Sequence, residues 1–242
     1  MKTAETGVTS FDYDALWSSE FWGDTQDYGP VHRHSARTIT NLIRPLGVNS
    51  IIDVGCGTGL NLAHLQRELK IKDVTGVDIS QAAIEAAKRR VSGDLRAMDV
   101  MTEPPIGRQF DLVLSAQVIE HIDEDQRFLE TLYALCGRYC LVATMQGRMR
   151  PSEKYIGHLR NYTRAGLTGM MERAGFKVEK VVEWGFPFYS PLFRSFMELL
   201  GGHRRRVGQK PYDRFVAALL FQLYRLNSSS KGDVIFVLAS KS

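Results

Sequence analysis

The chain has 242 residues, of which 44% are hydrophobic, so it can form one α/β domain with an added element but is marginal for two domains. No apolar run approaches the ~20 residues of a membrane span, and residues 1–5 lack a signal-peptide core, so we expect a cytoplasmic protein. The net charge of +4 is too small to indicate nucleic-acid binding by itself. Cys56, Cys136 and Cys140 have neither metal-site nor disulfide spacing, so we expect small buried side chains there.

Large aromatic rings dominate residues 1–33, which end with Gly29 and Pro30. A segment with so many rings needs a surface to pack on. It is either a clasp on the core or a cap over a ligand, and the density of rings favours a cap. The rings belong to Phe11, Tyr13, Trp17, Phe21, Trp22 and Tyr28.

A helix over residues 34–46 is followed by a strand–turn–helix unit. Residues 50–54 have the composition of a buried parallel strand, three alternate glycines follow, and helical spacing resumes at Leu62. Gly55 allows a sharp turn, Gly57 leaves the main chain open to a ligand, and Gly59 allows the helix to begin close to the sheet. The unit predicts a nucleotide-type binding site.

The glycine spacing is G-x-G-x-G, which is tighter than the dinucleotide fingerprint G-x-G-x-x-G. It suits a nucleoside with a small charged tail and no phosphate. Asp53, just before the turn, would repel a diphosphate but can bind an ammonium group. Residues 53–59 resemble motif I of the class I S-adenosylmethionine (SAM)-dependent methyltransferases.

The motif of residues 74–80 is a second short strand that ends in an acid, Asp78, and is followed by a helix. Asp78 lies 23 residues after Gly55, where an acid at a strand end can accept both ribose hydroxyls of a nucleoside. The alternative role is capping of the next helix, for which Ser80 is the better residue. With ribose at Asp78, Ile79 would lie against the adenine.

The resemblance also implies roles before and after these motifs. In the third strand, residues 94–100, Asp99 would accept the adenine amino group and the Val100 N–H would meet a ring nitrogen; the alternative is that Asp99 caps the following turn. On the first helix, an arginine would meet the SAM carboxylate. Arg37 is the first candidate and Arg33 the second, with a solvated surface as the alternative.

After the fourth strand, residues 110–115, the segment 116–122 resembles the family segment that carries an acid–histidine pair. Gln117 would lie beside the methionine part of SAM, and His121 could take a proton from an acceptor hydroxyl or simply be structural. Some quinone O-methyltransferases hold a metal with acids and histidine here, including an acid at the position of Gln117. A neutral amide is a poor ligand for a hard cation, so we predict no metal.

A helix from Asp123 to Cys136, capped by Asp123, and a strand over residues 139–144 lead into a long basic loop. The loop, residues 145–162, resembles the His-Leu-Arg segment of bacterial methyltransferases that act on sugars and small metabolites. His158 is therefore a second candidate base, and Arg160 and Tyr162 could hold the acceptor. The alternative is a solvated loop. A helix capped by Thr163 follows, and the last two strands, residues 177–184 and 233–239, pair antiparallel.

The segment between these last strands is basic and amphipathic. Residues 186–232 contain eight Lys or Arg against two acids, and two stretches have apolar residues at helical spacing. We rank three roles in this order: an acceptor lid, a homodimer interface, and a contact with a membrane surface or lipid-linked substrate. Nucleic acid is disfavoured because the Arg204–Arg206 cluster lacks flanking stacking rings.

The sequence therefore predicts an α/β fold: a Rossmann-like seven-stranded, mostly parallel sheet with one antiparallel strand. Residues 34–186 and 233–242 form the cofactor domain, residues 1–33 an aromatic cap, and residues 187–232 a helical insertion. The resemblance implies methyl transfer from SAM, giving S-adenosyl-L-homocysteine, to a small-molecule acceptor: a hydroxyl of a sugar-containing, phenolic or lipid-linked metabolite. Two alternatives stay open: a SAM-binding regulatory or scaffold protein, and an NAD-linked oxidoreductase, which the glycine spacing disfavours.

Overall fold

The computed structural model describes residues 12–17, 28–103, 106–199 and 211–241. The strands are β1 (Ser50–Val54), β2 (Asp73–Asp78), β3 (Asp94–Ala97), β4 (Phe110–Ala116), β5 (Cys136–Met145), β6 (Phe176–Trp184) and β7 (Val234–Lys241). The helices are α1 (Tyr13–Trp17), α2 (Pro30–Ile43), α3 (Leu60–Leu69), α4 (Gln81–Ala87), α5 (Asp125–Leu135), α6 (Pro151–Tyr155), α7 (Arg164–Arg173), α8 (Arg194–Leu199) and α9 (Pro211–Tyr224).

The seven strands form one sheet in the order β3-β2-β1-β4-β5-β7-β6. Strand β7 runs antiparallel to both β5 and β6, and the other pairs are parallel. The predicted fold is thus confirmed. The chain moves from β1 outward to β3 and then returns to place β4 on the other side of β1. In such sheets the crevice at the carboxyl ends of these two strands is where ligands bind.

Apolar layers cover both faces of the sheet because residues along its central strands alternate between the two faces. Ile51 and Leu112 belong to the layer that also contains residues of α2 and α3. Ile52 and Val113 belong to the opposite layer, which contains residues of α5 and α7. All four side chains are fully buried. This buried frame fixes the ends of β1 and β4, where the glycine turn and Gln117 follow.

Two of the three helix caps predicted from the sequence are present in the structure, and the third is not. The Ser80 and Thr163 hydroxyls accept hydrogen bonds from Ala83 N and Gly166 N, as their sequence positions predict. The predicted cap at Asp123 is wrong, because α5 begins two residues later. Asp123 instead accepts a hydrogen bond from Arg160 at 3.2 Å.

The insertion between β6 and β7 is helical and packs back on the domain. His34 Nε2 on α2 lies 2.8 Å from the carbonyl oxygen of Phe221 on α9, and the Arg33 guanidinium lies 3.9 Å from the centre of the Phe221 ring. Tyr224, also on α9, is completely buried and makes an edge-to-face contact with Trp184 at the end of β6. Within the part of the chain that the structure describes, none of the helices has the length and apolar character that a membrane crossing requires.

The three cysteines lie in the interior. Cys56 is in the glycine turn, and Cys136 and Cys140 are in β5; all three are free and buried. Burial raises the pKa of the Cys136 thiol to about 11, and burial also raises the pKa of the Cys140 thiol well above its ordinary value. Their expected role as small buried side chains is confirmed.

Candidate active site

The glycine turn joins the ends of β1 and β2 through main-chain hydrogen bonds. Gly55 N and Cys56 N donate to the carbonyl oxygen of Val77, at 2.8 and 2.9 Å. The Asp78 carboxylate accepts from Gly57 N at 2.8 Å and from Ser80 N at 3.0 Å. Asp78 is buried, and its burial raises its pKa although these two N–H groups oppose the shift. The structure thus places Asp78 directly against the glycine turn.

Gly55 occupies a position that no other residue can fill without strain. Its φ of 77° lies in the left-handed region, and an added Cβ would lie 2.3 Å from Cγ2 of Val118. We expect Gly55→Ala to lower the free energy of unfolding by more than the ~1–2 kcal/mol of backbone strain alone, because the clash adds to it. Urea unfolding measures the loss.

Val118→Ala supplies the matched control for this substitution, because it removes the branched side chain that the new methyl group would meet. In the double variant, the part of the stability loss that comes from the clash should disappear, and the part that comes from backbone strain should remain. Equal losses in Gly55→Ala with and without Val118 would contradict the clash.

Asp53 lies at the end of β1 and is almost completely buried. Among the described residues, neither of its carboxylate oxygens has a hydrogen-bond partner. Burial, together with the nearby Asp78 carboxylate, raises the pKa of Asp53 to about 8. A buried, unpartnered carboxyl group has the chemistry expected of a site that receives a cation or a hydrogen-bond donor from a ligand.

A cavity of about 520 Å³ opens at the carboxyl ends of β1 and β4, a size typical of small-molecule sites. Of the predicted site residues it is lined by Gly55, Gly57, Gln117 and His158. Gln117 has a φ of 62°, and such strained non-glycine residues cluster at functional sites. The opposite wall of the cavity is formed by side chains of the insertion. They belong to Tyr189, Phe193, Met197, Val216, Ala217 and Leu220. One space therefore joins the glycine turn to the insertion.

The residues predicted for the adenosine side follow β2 and β3 outside the lining of this cavity. Ile79 is 59% exposed next to Asp78. Asp99 and Val100 come two and three residues after the end of β3. The Asp99 carboxylate accepts from Met101 N at 2.9 Å and from Thr102 Oγ1 at 3.0 Å, so it caps this turn, which was the alternative to adenine binding. The adenine roles remain predictions.

The structure does not bring Arg37 to the cavity. Residues of α2 that line it, including Val31, Ser35 and Ile39, share one face of the helix, and Arg37 is exposed on another. Arg33 stacks on Phe221 rather than facing the glycine turn. The cavity geometry gives no support to the role of Arg37 at the SAM carboxylate, which stays a prediction. Gly59, the last glycine of the motif, also lies outside the lining, and an added Cβ there would meet Val91 and Ala87 of the adjacent segment.

Helix α1 lies across the glycine turn. Asp14 accepts hydrogen bonds from the Ser80 hydroxyl at 2.5 Å and from Ala82 N at 3.2 Å, just after β2. The Tyr13 ring makes an edge-to-face contact with His121, after β4, with ring centres 5.8 Å apart. Since β1 lies between β2 and β4, α1 spans the end of β1. Trp17 lines the cavity, while Phe11, Phe21 and Trp22 of the predicted cap lie outside the described residues.

The two candidate bases and an acid form a compact cluster. The His121 and His158 rings meet edge to face with centres 4.7 Å apart, and Glu120 Oε1 lies 4.0 Å from His158 Nε2. Burial raises the pKa of Glu120 to about 7, and burial lowers the pKa of each histidine to about 4. Only His158 lines the cavity; His121 Nδ1 lies 3.1 Å from the Gly157 carbonyl oxygen.

The same three residues have the composition of a metal site. One ligand-type atom from each of Glu120, His121 and His158 lies within 4.8 Å of the others. Glu120 Oε2 is already used, since it accepts a hydrogen bond from the Thr144 hydroxyl at 2.7 Å. The sequence pattern does not indicate this grouping, because His158 comes from a loop 37 residues after His121. The expectation of a metal-free enzyme remains a prediction.

A second buried polar cluster, which the sequence pattern does not reveal, fixes the insertion beside the cavity. Arg194 on α8 binds Glu153 on α6 and Asp233 just before β7, the latter at 2.6 Å. Arg150 binds Glu198 at 2.8 Å. The two arginines are each less than 10% exposed. Buried ion pairs of this kind are costly to break, so they hold the long loop and the insertion together.

Arg160 and Tyr162 were expected to hold the acceptor, but the structure uses both internally. Arg160 Nη1 binds Asp125 Oδ2 at 2.8 Å. The buried Tyr162 hydroxyl donates to the Ile119 carbonyl oxygen or to Asp125, at 3.2 and 3.0 Å. These contacts fix the loop to the start of α5.

Comparison with known sequences finds a methyltransferase domain in the first half of the sheet. The family model described as a methyltransferase domain matches residues 52–139, which contain the glycine turn, Asp78, Asp99 and Gln117. The ubiquinone biosynthesis O-methyltransferase of Rhizobium leguminosarum bv. trifolii (strain WSM2304) is 27% identical over 192 residues, covering 71% of this chain and 73% of that protein.

Solved structures share the fold. The magnesium protoporphyrin IX methyltransferase of Synechocystis PCC 6803, with bound S-adenosyl-L-homocysteine, aligns with a TM-score of 0.59 at 14% identity, covering 93% of this chain and 88% of that chain. The cyclase SpnF aligns with a TM-score of 0.60 at 20% identity, covering 87% of this chain and 82% of that one. The sheet order, the glycine turn and the match of a methyltransferase-domain model to residues 52–139 support a class I SAM-dependent methyltransferase with SAM as its cofactor.

Proposed function

We propose that this enzyme methylates a hydroxyl group of a small molecule with an apolar body, most simply a phenol. One observation carries the proposal: the cavity that begins at the glycine turn continues between apolar side chains of the insertion and has a neutral histidine, His158, in its wall. The similarity to ubiquinone biosynthesis O-methyltransferases supports an oxygen acceptor. The insertion, residues 187–232, would then act as the acceptor lid, and α1 as part of the cofactor cap.

The cofactor would lie along the ends of β1, β2 and β4. Gly57 leaves the main chain open to it, Asp78 accepts the ribose hydroxyls, and Gln117 lies beside the methionine part. A carboxylate has about four lone-pair positions, so Asp78 can keep its bonds to Gly57 N and Ser80 N while it accepts two hydroxyls. Asp53, at the end of β1 just before the glycine turn, would bind the ammonium group of SAM.

The reaction is an in-line displacement at the sulfonium. The acceptor oxygen forms a bond to the methyl carbon while the carbon–sulfur bond breaks, and the electron pair of that bond stays on sulfur. The hydroxyl proton passes to His158, and the resulting imidazolium is stabilised by the Glu120 carboxylate 4.0 Å away. The cavity aligns the reactants and keeps water out, which is most of what this chemistry requires.

The basicity of His158 favours a phenol over a sugar hydroxyl. Burial lowers its pKa to about 4, so it is neutral near pH 7 and has a free lone pair, but it is a weak base. A phenol, with a pKa of ~10, gives up its proton to such a base far more readily than an alkyl hydroxyl, whose pKa approaches the value of ~16 for water.

A panel of acceptors tests this function. We expect release of S-adenosyl-L-homocysteine with catechols and phenols that carry an apolar substituent, and little with a free sugar or a primary amine. Turnover confined to amines would contradict O-methylation. Tight SAM binding with no turnover across the panel would instead favour the alternative of a non-catalytic SAM-binding protein. SpnF, a cyclase with this fold, illustrates that the fold by itself does not imply methyl transfer.

Asp53 gives a direct test of the cofactor pose. With a pKa of about 8, the free enzyme holds close to one proton on Asp53 at pH 7. An ammonium partner lowers that pKa, so SAM binding should release ~0.9 proton. Calorimetry in buffers of different ionisation enthalpy measures the release. Asp53→Asn should bind SAM without releasing a proton. If the binding enthalpy of this variant depended on the buffer as in the parent, the contact between Asp53 and the ammonium group would be ruled out.

A further inference from the structure

Helix α9 has three distinct faces, and one of them is both apolar and exposed. Ala217, Leu220, Phe221 and Tyr224 pack against α2 and the cavity. Arg214, Gln222 and Arg225 form a polar face. The third face, here named the apolar stripe, spans only about 100° around the helix axis. Its members are Tyr212, Phe215, Val216, Leu219, Leu223 and, in the turn after the helix, Leu226.

The stripe is unusual for a surface because most of its large side chains are more than half exposed. Phe215 is 66% exposed and Leu226 is 69% exposed. Leu192, Phe196 and Leu199 extend the exposed apolar surface onto the preceding helical segment of the insertion. Contiguous apolar surfaces of this kind mark contacts with proteins or membranes.

Charge decides between these occupants. Of the two acids in the insertion, Glu198 is bound by Arg148 and Arg150, and Asp213 lies in the cavity lining. The exposed charges on α9 and in the turn after it are the cations Arg214 and Arg225, and the sequence adds Arg204–Arg206 and Lys210 just before the helix. A second copy of the chain would bring the same cations to a two-fold contact, where like charges repel.

We propose that the apolar stripe binds an anionic lipid bilayer, with α9 lying in the plane of the headgroups. An apolar face beside a cationic face is the pattern of interfacial helices, which bind by burying apolar side chains and by attraction to anionic lipid. Val216 belongs to the stripe and also lines the cavity, so the cavity wall is continuous with the lipid-facing surface. Binding at the surface does not depend on the identity of the methyl acceptor.

Vesicle sedimentation with the full SAM-loaded chain tests the proposal. We expect the protein to partition onto vesicles of phosphatidylcholine with phosphatidylglycerol at least tenfold more strongly than onto phosphatidylcholine alone, and the difference should shrink at high salt. Arg214→Glu with Arg225→Glu should remove the preference for anionic vesicles. Equal partition onto both vesicle types, or none, would overturn the proposal.

A matched pair of variants on α9 isolates the apolar contribution. Leu219→Asp places a charge in the stripe, and Ala218→Asp places the same charge on the adjacent polar side of the helix. Both positions are exposed, so both variants should keep the thermal stability of the parent. We expect Leu219→Asp to lower partition onto anionic vesicles at least tenfold more than Ala218→Asp does.

Two results would assign the stripe to another occupant and so refute the proposal. A dimer in sedimentation equilibrium that Leu219→Asp dissociates would mean that a second copy covers the stripe. A large loss of thermal stability in Leu219→Asp, with no vesicle binding by the parent, would mean that the chain's own segments cover it.

Discussion

Replacing Asp78 by alanine should weaken SAM binding by ~10²–10⁴-fold while the protein stays folded. Each hydrogen bond between a ribose hydroxyl and a buried carboxylate is worth ~1.5–3 kcal/mol, and the proposed pose contains two. The same carboxylate holds Gly57 N and Ser80 N, so its loss also frees the glycine turn from its position at the end of β2. Calorimetry with SAM measures the affinity, and circular dichroism checks the fold.

Asp73→Ala is the control for this experiment because it removes the same residue type from the other end of the same strand. Asp73 is exposed and pairs with Arg108 at 2.7 Å, a surface contact that contributes little to stability. We expect its SAM affinity to stay within twofold of the parent. An Asp78→Ala protein that binds SAM normally would remove the ribose assignment and, with it, the cofactor pose.

Replacing His158 by glutamine should lower kcat by ~10²–10⁴-fold, the usual contribution of a general base, with little effect on SAM binding. The parent enzyme should have a flat rate above about pH 8, because His158, with a pKa of about 4, is then neutral and Glu120, with a pKa of about 7, is ionised. In the variant only the ionised acceptor reacts. Its rate with a phenol should therefore rise about tenfold per pH unit towards the phenol's pKa of ~10.

This change in the shape of the pH–rate profile separates a base from a structural histidine, since a structural defect would lower the rate equally at all pH values. His121→Gln is the matched control: the two rings are 4.7 Å apart, but His121 does not line the cavity. We expect a loss of less than tenfold in kcat for it. A larger loss in His121→Gln than in His158→Gln would transfer the role of base to His121.

Local patterns in the sequence were enough to predict the sheet and the cofactor turn. A buried strand, three alternate glycines and an acid at the end of the next strand are short-range signals, because each depends on backbone conformation or on neighbouring side chains. The structure places Gly55, Gly57 and Asp78 together through main-chain bonds between β1 and β2, as the motif order implies. Caps such as Ser80 are local in the same sense.

Contacts between side chains that are far apart in the sequence could not be predicted from such local patterns. Arg160 has the appearance of an acceptor ligand in the sequence, yet its guanidinium binds Asp125, which precedes it by 35 residues. Arg37 is on a helix that borders the cavity but not on the face that lines it, because that helix also packs against the insertion and presents Ser35 and Ile39 to the cavity. Helical phase relative to distant elements is set by packing, which no single segment contains.

Residue types and spacings within one βα unit and its neighbour are enough to predict the sheet, the glycine turn and the class of cofactor. The packing of distant segments sets which histidine faces the cavity, which arginines are buried in ion pairs, and which face of α9 is left exposed. Each of these depends on residues tens of positions apart that meet only when the layers pack around the sheet, and burial at those contacts then sets the pKa values and the exposed apolar surface.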